Sequence, residues 1–267
     1  MKIERLRKII AYSEEHCEEM NTMVKRFCVL ADVEYDTNIL SILQIARASL
    51  RRKGFLVLEL PFADDEIGAL CYKGDGLGYV VINTSLPRVN VNFAVAHEIY
   101  HVFFGEYELA VKVEFSDAHG YEHEEEYAAN LFAGMLLMPE NSFRRMYLKF
   151  KEEAGGNEID ILVQLMAYYQ APYMAVLVRS LELGLISENA FCEQMITMNR
   201  AQMKQRLTDL WLDESILDAS DKDDYTHLER MVAQLGSEYV KDEYINARAL
   251  DRVLHNMREL YTKIKGA

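Results

Sequence analysis

The most constraining feature of this sequence is an apolar segment that carries two histidines and a glutamate. Residues 92–104 have the spacing of an amphipathic helix and include the pattern His97-Glu98-x-x-His101. On a helix, residues four apart lie on one face and about 6 Å apart along the axis, so both imidazoles point to one place. Burying two imidazoles and a carboxylate among apolar residues is costly unless they have partners. The segment therefore predicts a core helix with a polar site on one face.

The residue types in this pattern are those of a metal centre with an open position. Neutral imidazole is a good ligand for Zn²⁺, and two imidazoles leave half of the tetrahedron for other ligands. Glu98 follows the first histidine, where its carboxylate could take a proton from a water molecule at the metal. The alternative is a helix whose histidines are only hydrogen-bonded within a core. We favour a metal site with Glu98 as a catalytic group.

A catalytic zinc site of this kind needs a third protein ligand. The extended motif HExxHxxGxxH is excluded, because Phe104 and Tyr107 stand where it requires glycine and histidine. The other common source is a glutamate from a following helix. The predicted helix over residues 122–138 offers Glu126, which heads a face that continues into an apolar stripe. We therefore expect Glu126 as the third ligand.

Residues near these ligands are candidates for supporting roles. Asn130 lies one helical turn after Glu126, where its amide could orient a ligating histidine. Glu124 and Glu125 are interpreted as first-turn residues that interact favourably with the helix dipole. Weak candidates for stabilising an oxyanion, each more often an ordinary loop residue, precede the helix: His119, Tyr121 and His123. The two histidines of this set could hold a second metal, but no acidic ligand pattern follows them, which favours solvated loop residues.

The apolar pattern predicts an α+β fold that is mostly helical. Half of the 267 residues are apolar, which is enough for a sizeable core. Short strands are predicted at residues 55–60, 67–72 and 78–82, with a Gly-rich turn between the last two. We expect a small antiparallel sheet packed against the helix with the HExxH pattern and the helix with Glu126. An all-helical C-terminal extension follows.

Charge and cysteine content exclude several other classes of protein. The 43 acidic residues exceed the 29 basic ones and give a net charge of −14, which argues against a protein that mainly binds nucleic acid. The four cysteines have no CxxC or other paired spacing, so neither a thiolate zinc site nor a disulfide framework is predicted. No run of 18 apolar residues and no apolar leader of signal-peptide length occurs. We expect a cytoplasmic protein.

Two blocks of the sequence resemble the ImmA/IrrE-type zinc metallopeptidases. The first comprises residues 80–83 (VVIN) and 93–105 (FxxAHExxHxxFG), and the second comprises residues 126–139 (ExxANxFAxxLLMP). The second block is similar to the family's second-helix signature almost position for position. The resemblance covers roughly residues 38–145, and a helical stretch over 161–187 is also similar to the family's extension.

The resemblance implies a gluzincin-like site with one Zn²⁺ per chain. In that site His97, His101 and Glu126 hold the zinc, and Glu98 acts as the general base. The main departure is Tyr100, at a position where relatives commonly carry a small residue. A tyrosine there would narrow the substrate cleft or line it.

The family consists of intracellular regulatory proteases that cut a helix-turn-helix repressor. The resemblance therefore implies a cytoplasmic zinc metalloendopeptidase that acts on a protein partner, a transcriptional repressor, and takes part in transcription regulation. The alternative is a non-enzymatic regulatory or binding module that retains a structural zinc site. Membrane binding is not expected, because no run of 18 apolar residues occurs. Direct nucleic-acid binding is not expected either, because the helix pair over residues 160–187 offers Arg179 as nearly its only basic group.

These patterns divide the chain into four expected segments. They are an N-terminal helical segment (1–37), a zincin-like metallopeptidase core (38–145), a helix-turn-helix-like extension (146–187) and a helical C-terminal region without an assigned role (188–267). An apolar stripe along the last helix would allow a helical oligomer contact. The acidic run Asp218–Asp224 lacks the spacing of a calcium loop and is interpreted as a solvated linker.

Overall fold

Helices dominate the part of the chain that the computed structural model describes, which comprises residues 3–39, 41–74, 77–105, 124–187 and 194–266. The helices are α1 (Ile3–Ala31), α2 (Ile42–Arg52), α3 (Arg88–Phe103), α4 (Glu124–Leu137), α5 (Glu140–Glu153), α6 (Glu158–Tyr169), α7 (Tyr173–Glu182), α8 (Arg200–Asp209), α9 (Tyr225–Lys241) and α10 (Ala247–Lys265). A three-stranded sheet formed by β1 (Phe55–Leu60), β2 (Ala69–Gly74) and β3 (Leu77–Asn83) lies between α2 and α3 in sequence. The expected mostly helical α+β fold is confirmed.

The sheet is mixed, and the expected antiparallel arrangement was wrong in this respect. Its order is β1-β3-β2, with β2 antiparallel to β3 and β1 parallel to it. Three successive residues of β3, Val80 to Ile82, are buried, so both faces of this strand are apolar. Such a strand is best placed at the centre, with a partner on each edge. The hairpin places β2 on one edge of β3, so β1 pairs with the other edge of β3, to which it runs parallel.

Helix α3 lies against both the sheet and the neighbouring helices. It begins at Arg88, directly after Pro87, and ends at Phe103. Val95, Ala96 and Ile99 are almost completely buried. The helix contacts α2, α4, β2 and β3. Its position in the fold is therefore fixed from several sides.

An aromatic cluster joins α1, α3 and α4. The ring of Phe27 from α1 packs edge-on against Phe103 and Phe132, with centroids 5.4 and 6.1 Å away. Tyr100 is 8 % exposed, and its ring lies 5.8 Å from that of Phe132. Edge-to-face aromatic pairs at these separations stabilise a core beyond simple burial. The bulky residue at position 100 is thus accommodated by packing between α3 and α4.

The helices after α4 form the packing unit behind it. Helix α5 was not predicted from the sequence. It is strongly charged and buries one face through Phe143, Met146 and Tyr147. Helices α6 and α7 meet at an angle of 110°, after Gln170 adopts a left-handed conformation with φ of 51°. Within the described residues, no single helix is long and apolar enough to cross a membrane, and only this sharply bent pair reaches that length and composition jointly.

The acidic run Asp218–Asp224 is attached to β1, so its interpretation as a solvated linker was incomplete. The backbone N–H of Asp224 donates to the carbonyl of Glu59 (2.8 Å), and the N–H of Glu59 donates to the Asp224 carboxylate (3.0 Å). The buried Glu59 carboxylate also forms ion pairs with Arg47 and Lys222. The N–H and the carboxylate of Asp224 therefore satisfy backbone groups on the edge of β1.

The C-terminal hairpin of α9 and α10 covers a second apolar cluster. Tyr261 and Ile264 from α10 pack against this cluster, which includes Phe62 and Val81. The rings of Tyr225 and Tyr261 stack with centroids 3.9 Å apart. Val253 and Leu260 of the predicted stripe are exposed, and the proposed oligomer contact through α10 stays a prediction.

Asn83 fixes the connection between β1 and β2. Its side chain is fully buried, and its Oδ1 accepts hydrogen bonds from the backbone N–H groups of Phe62 (3.1 Å) and Ser85 (3.0 Å). Its Nδ2 donates to the carbonyls of Asp64 (2.9 Å) and Ile67 (2.8 Å). One side chain therefore satisfies three backbone groups of the β1–β2 connection and a fourth directly after β3.

We expect Asn83→Ala to lower the free energy of unfolding by about 2–4 kcal/mol, because buried backbone donors and acceptors lose their partners. Chemical denaturation followed by circular dichroism measures this change. Asn90→Ala, at an exposed position of α3, is the matched control and should change stability by less than about 0.5 kcal/mol. Equal stability of the two variants would contradict this role of Asn83.

Candidate metal centre

Helices α3 and α4 bring two imidazoles and one carboxylate to a single point. The Nε2 atoms of His97 and His101 lie 3.0 Å apart. The carboxylate oxygens of Glu126 lie 3.3 Å from Nε2 of His97 and 3.5 Å from Nε2 of His101. Within the described ranges this is the one group of three or more such side chains suited to hold a metal ion, with ligand atoms all within 4.8 Å of one another.

The spacing and chemistry of these atoms fit a tetrahedral metal ion. Ligand atoms about 2.0–2.1 Å from a tetrahedral Zn²⁺ lie about 3.3–3.4 Å from one another. The two Nε2 atoms are 3.0 Å apart, and the nearest Glu126 oxygens, Oε2 for His97 and Oε1 for His101, lie 3.3 and 3.5 Å away, all close to that value. Two imidazoles with one carboxylate also form a known ligand set of catalytic zinc. The group could therefore bind a metal ion.

The outer nitrogen of each imidazole also faces an acceptor. Nδ1 of His97 lies 3.1 Å from Oδ1 of Asn130, which is one turn after Glu126 on α4. Nδ1 of His101 lies 3.5 Å from Oε1 of Glu125. The sequence interpretation of Glu125 as a helix-dipole residue missed this contact, because it depends on how α4 crosses the end of α3. Protons on both Nδ1 atoms would leave the Nε2 lone pairs free for a metal.

Burial shapes the protonation of the residues at this site. Burial raises the pKa of Glu98 to about 7, opposed by the charge of His97. Burial and the charge of His97 lower the pKa of His101, which favours the neutral imidazole that binds metal. Burial lowers the pKa of His97 as well, but its hydrogen bond to Glu126 and the neighbouring carboxylates raise it overall. A carboxyl group that titrates near neutrality can both accept and release a proton there.

Glu98 is close enough to the ligand group and to strand β2 to interact electrostatically with both. Its side chain is buried, and its charge acts on Cys71 of β2, whose thiol pKa is raised chiefly by burial. The segment that leads into β2 approaches α3 closely at Gly68, where a Cβ would lie 2.9 Å from the Cβ of Ala94. Helix α3 therefore packs closely against the segment that leads into β2.

Other residues considered from the sequence take no part in the described site. His119, Tyr121 and His123 lie outside the described residues. Arg179 is 4 % exposed, donates from Nε to the carbonyl of Met138 and forms an ion pair with Glu182 at 3.0 Å. Its guanidinium is thus committed to the core, which removes nearly the only basic group of α7 from a role in binding nucleic acid.

Comparison with known protein families places this site in a recognised domain. Residues 50–181 match the Peptidase M78 family model, described as the IrrE N-terminal-like domain. This part of the chain belongs to the ImmA/IrrE family. The resemblance found in the sequence is confirmed, and the family supports a metallopeptidase-type function for the domain. No curated protein matches the chain.

The IrrE N-terminal-like domain contains the whole candidate centre. The match runs from the end of α2 to the end of α7, so it includes the sheet, α3 and α4 with all three ligand groups. Helices α8, α9 and α10 follow the matched segment. The family relationship and the converging side chains both support a metal-binding site.

We expect the protein to retain about one zinc ion per chain after loading and washing, and His97→Ala and Glu126→Ala to lose it, because each removes one of three protein ligands. Elemental analysis measures the metal content. His227→Ala and Glu124→Ala, at exposed positions, are the matched controls and should retain the zinc. Full zinc content in the His97 or Glu126 variant would contradict this ligand set.

Proposed function

We propose that this protein is an intracellular zinc-dependent metalloendopeptidase that hydrolyses peptide bonds in a protein partner. The observation that carries the proposal is the convergence of His97, His101 and Glu126 within an IrrE N-terminal-like domain. The proposed partner is a helix-turn-helix transcriptional repressor, an inference that rests on the family resemblance. The cytoplasmic location and the role in transcription regulation rest on the same resemblance.

Each residue of the site has a separate role in the proposed peptide hydrolysis. The two histidines and Glu126 would hold the metal, which supplies Lewis-acid chemistry towards the scissile carbonyl and the attacking water. Glu98 accepts the proton of that water and passes it to the leaving amine. Its pKa near 7 suits both halves of this transfer. Asn130 holds the ring of His97 through Nδ1 and so keeps Nε2 directed at the site.

The second candidate is a regulatory module in which zinc has only a structural role. Structural zinc sites usually have four protein ligands, whereas catalytic sites have three and an open position. Three ligand groups converge among the residues described. In addition, Glu98 is buried beside the site, where a carboxylate is costly to maintain and has no evident use in a structural site. Both observations favour the enzyme.

We expect Glu98→Gln to retain zinc and to lower peptide hydrolysis by about 10²–10⁴-fold, because glutamine cannot take the proton of the attacking water. Mass spectrometry of a degenerate peptide library, incubated with the zinc-loaded protein, measures internal cleavage. Glu124→Gln, an exposed change in charge of the same kind, is the control and should cleave like the wild type.

Two outcomes would contradict the proposed activity. Equal cleavage by the wild type and Glu98→Gln would show that Glu98 is not the general base. A zinc-loaded wild type that cuts neither the library nor purified helix-turn-helix repressors would favour the structural module. Zinc content measured on the same samples separates loss of chemistry from loss of metal.

A further inference from the structure

The ring of His101 is held between two carboxylates that face its two nitrogens. Its Nε2 lies 3.5 Å from Glu126, within the ligand group, and its Nδ1 lies 3.5 Å from Oε1 of Glu125. The Glu125 side chain is 21 % exposed, whereas the preceding Glu124 is exposed to solvent. Glu125 therefore differs from Glu124, the first residue of α4, in facing the ligand group rather than solvent.

Gly105 leaves room for the carboxylate of Glu125 over the last turn of α3. A Cβ built on Gly105 would lie 2.8 Å from Oε1 of Glu125 and 2.7 Å from the carbonyl oxygen of His101. The backbone of Gly105 is itself fixed, because its N–H donates to the carbonyl of Tyr100 at 3.1 Å. The carboxylate thus sits in a space that only glycine leaves open, directly beside the second histidine of the pattern.

We propose that Glu125 is the positioning residue of His101. By accepting the proton on Nδ1, its carboxylate fixes the tautomer and the orientation of the ring and directs the Nε2 lone pair towards the metal. A negatively charged acceptor also makes the imidazole a stronger ligand, whereas the amide of Asn130 serves His97 as a neutral acceptor. This inference rests on the proposed metal centre and adds a specific role for a residue outside the ligand set.

Zinc affinity in a set of matched variants tests the proposal. Competition with a chromophoric chelator measures the Kd for Zn²⁺ of the wild type, Glu125→Ala, Glu125→Gln and Glu124→Ala. We expect Glu125→Ala to weaken binding about 10–100-fold, as is usual for the outer partner of a ligating histidine. Glu125→Gln, whose amide oxygen still accepts a hydrogen bond, should recover most of this loss. Glu124→Ala, which removes the same charge from the same turn, should bind like the wild type.

The tautomer of His101 in the metal-free protein provides a second readout. Long-range ¹H–¹⁵N correlation spectra at pH 8 distinguish imidazoles protonated at Nδ1 from those protonated at Nε2. We expect His101 to carry its proton on Nδ1 in the wild type and in Glu125→Gln, and to lose this preference in Glu125→Ala. Glu125→Met, which keeps the length of the side chain without an acceptor, replaces the alanine variant if that variant does not fold.

Three results would overturn the role of Glu125 or separate it from the proposed function. Glu125→Ala indistinguishable from Glu124→Ala in affinity and tautomer would show a helix-dipole residue only. A loss of zinc as complete as in Glu126→Ala would make Glu125 a ligand. If the wild type binds no zinc, the metal centre fails, and the tautomer of metal-free His101 still decides whether Glu125 positions the ring.

Discussion

The packing of α3 against α4 is the contact on which the candidate site depends. Helix α3 is held by the sheet, α2 and α4, and its buried face includes Val95 and Ile99. Helix α4 presents fully buried alanines at 129 and 133, and small side chains at a helix interface allow close approach. The three ligand groups that the described residues bring together consequently come from two packed helices. Side chains on rigid elements hold their geometry before a metal or substrate arrives.

The same packing concentrates titratable groups that a purely structural core would avoid. Burial shifts the pKa of Glu98 to about 7 and lowers that of His101, which shows how poorly the site solvates charge. By contrast, Arg179 and Glu182 are equally buried, but their ion pair and the hydrogen bond to Met138 satisfy the guanidinium and tie α7 to the end of α4. Burial raises the pKa of Glu182 as well, so the convergence of several ligand-type groups, rather than a pKa shift alone, distinguishes the candidate site from this structural pair.

Local patterns in the sequence were sufficient for the elements that carry the site, because helical periodicity is a property of neighbouring residues. The spacing of His97 and His101 placed both imidazoles on one face, and Asn130 lies where its helical position indicated. The direction of β1 was not predictable in this way, since alternating burial is the same in parallel and antiparallel pairs. The contact of Glu125 likewise depends on Gly105 and on the crossing of two helices, which no local spacing encodes.

The helices beyond the family domain complete its packing. The backbone N–H and the carboxylate of Asp224 satisfy the backbone of Glu59 on the edge of β1, and residues of α10 cover an apolar cluster that includes Phe62 and Val81. Without this cover, the sheet would expose a contiguous apolar patch and an unpaired strand edge, both of which favour aggregation. The C-terminal region thus has a structural role, because it covers this apolar cluster and satisfies the edge of β1. Because α3 packs directly on this sheet, support of the sheet also stabilises the helix that carries both histidines.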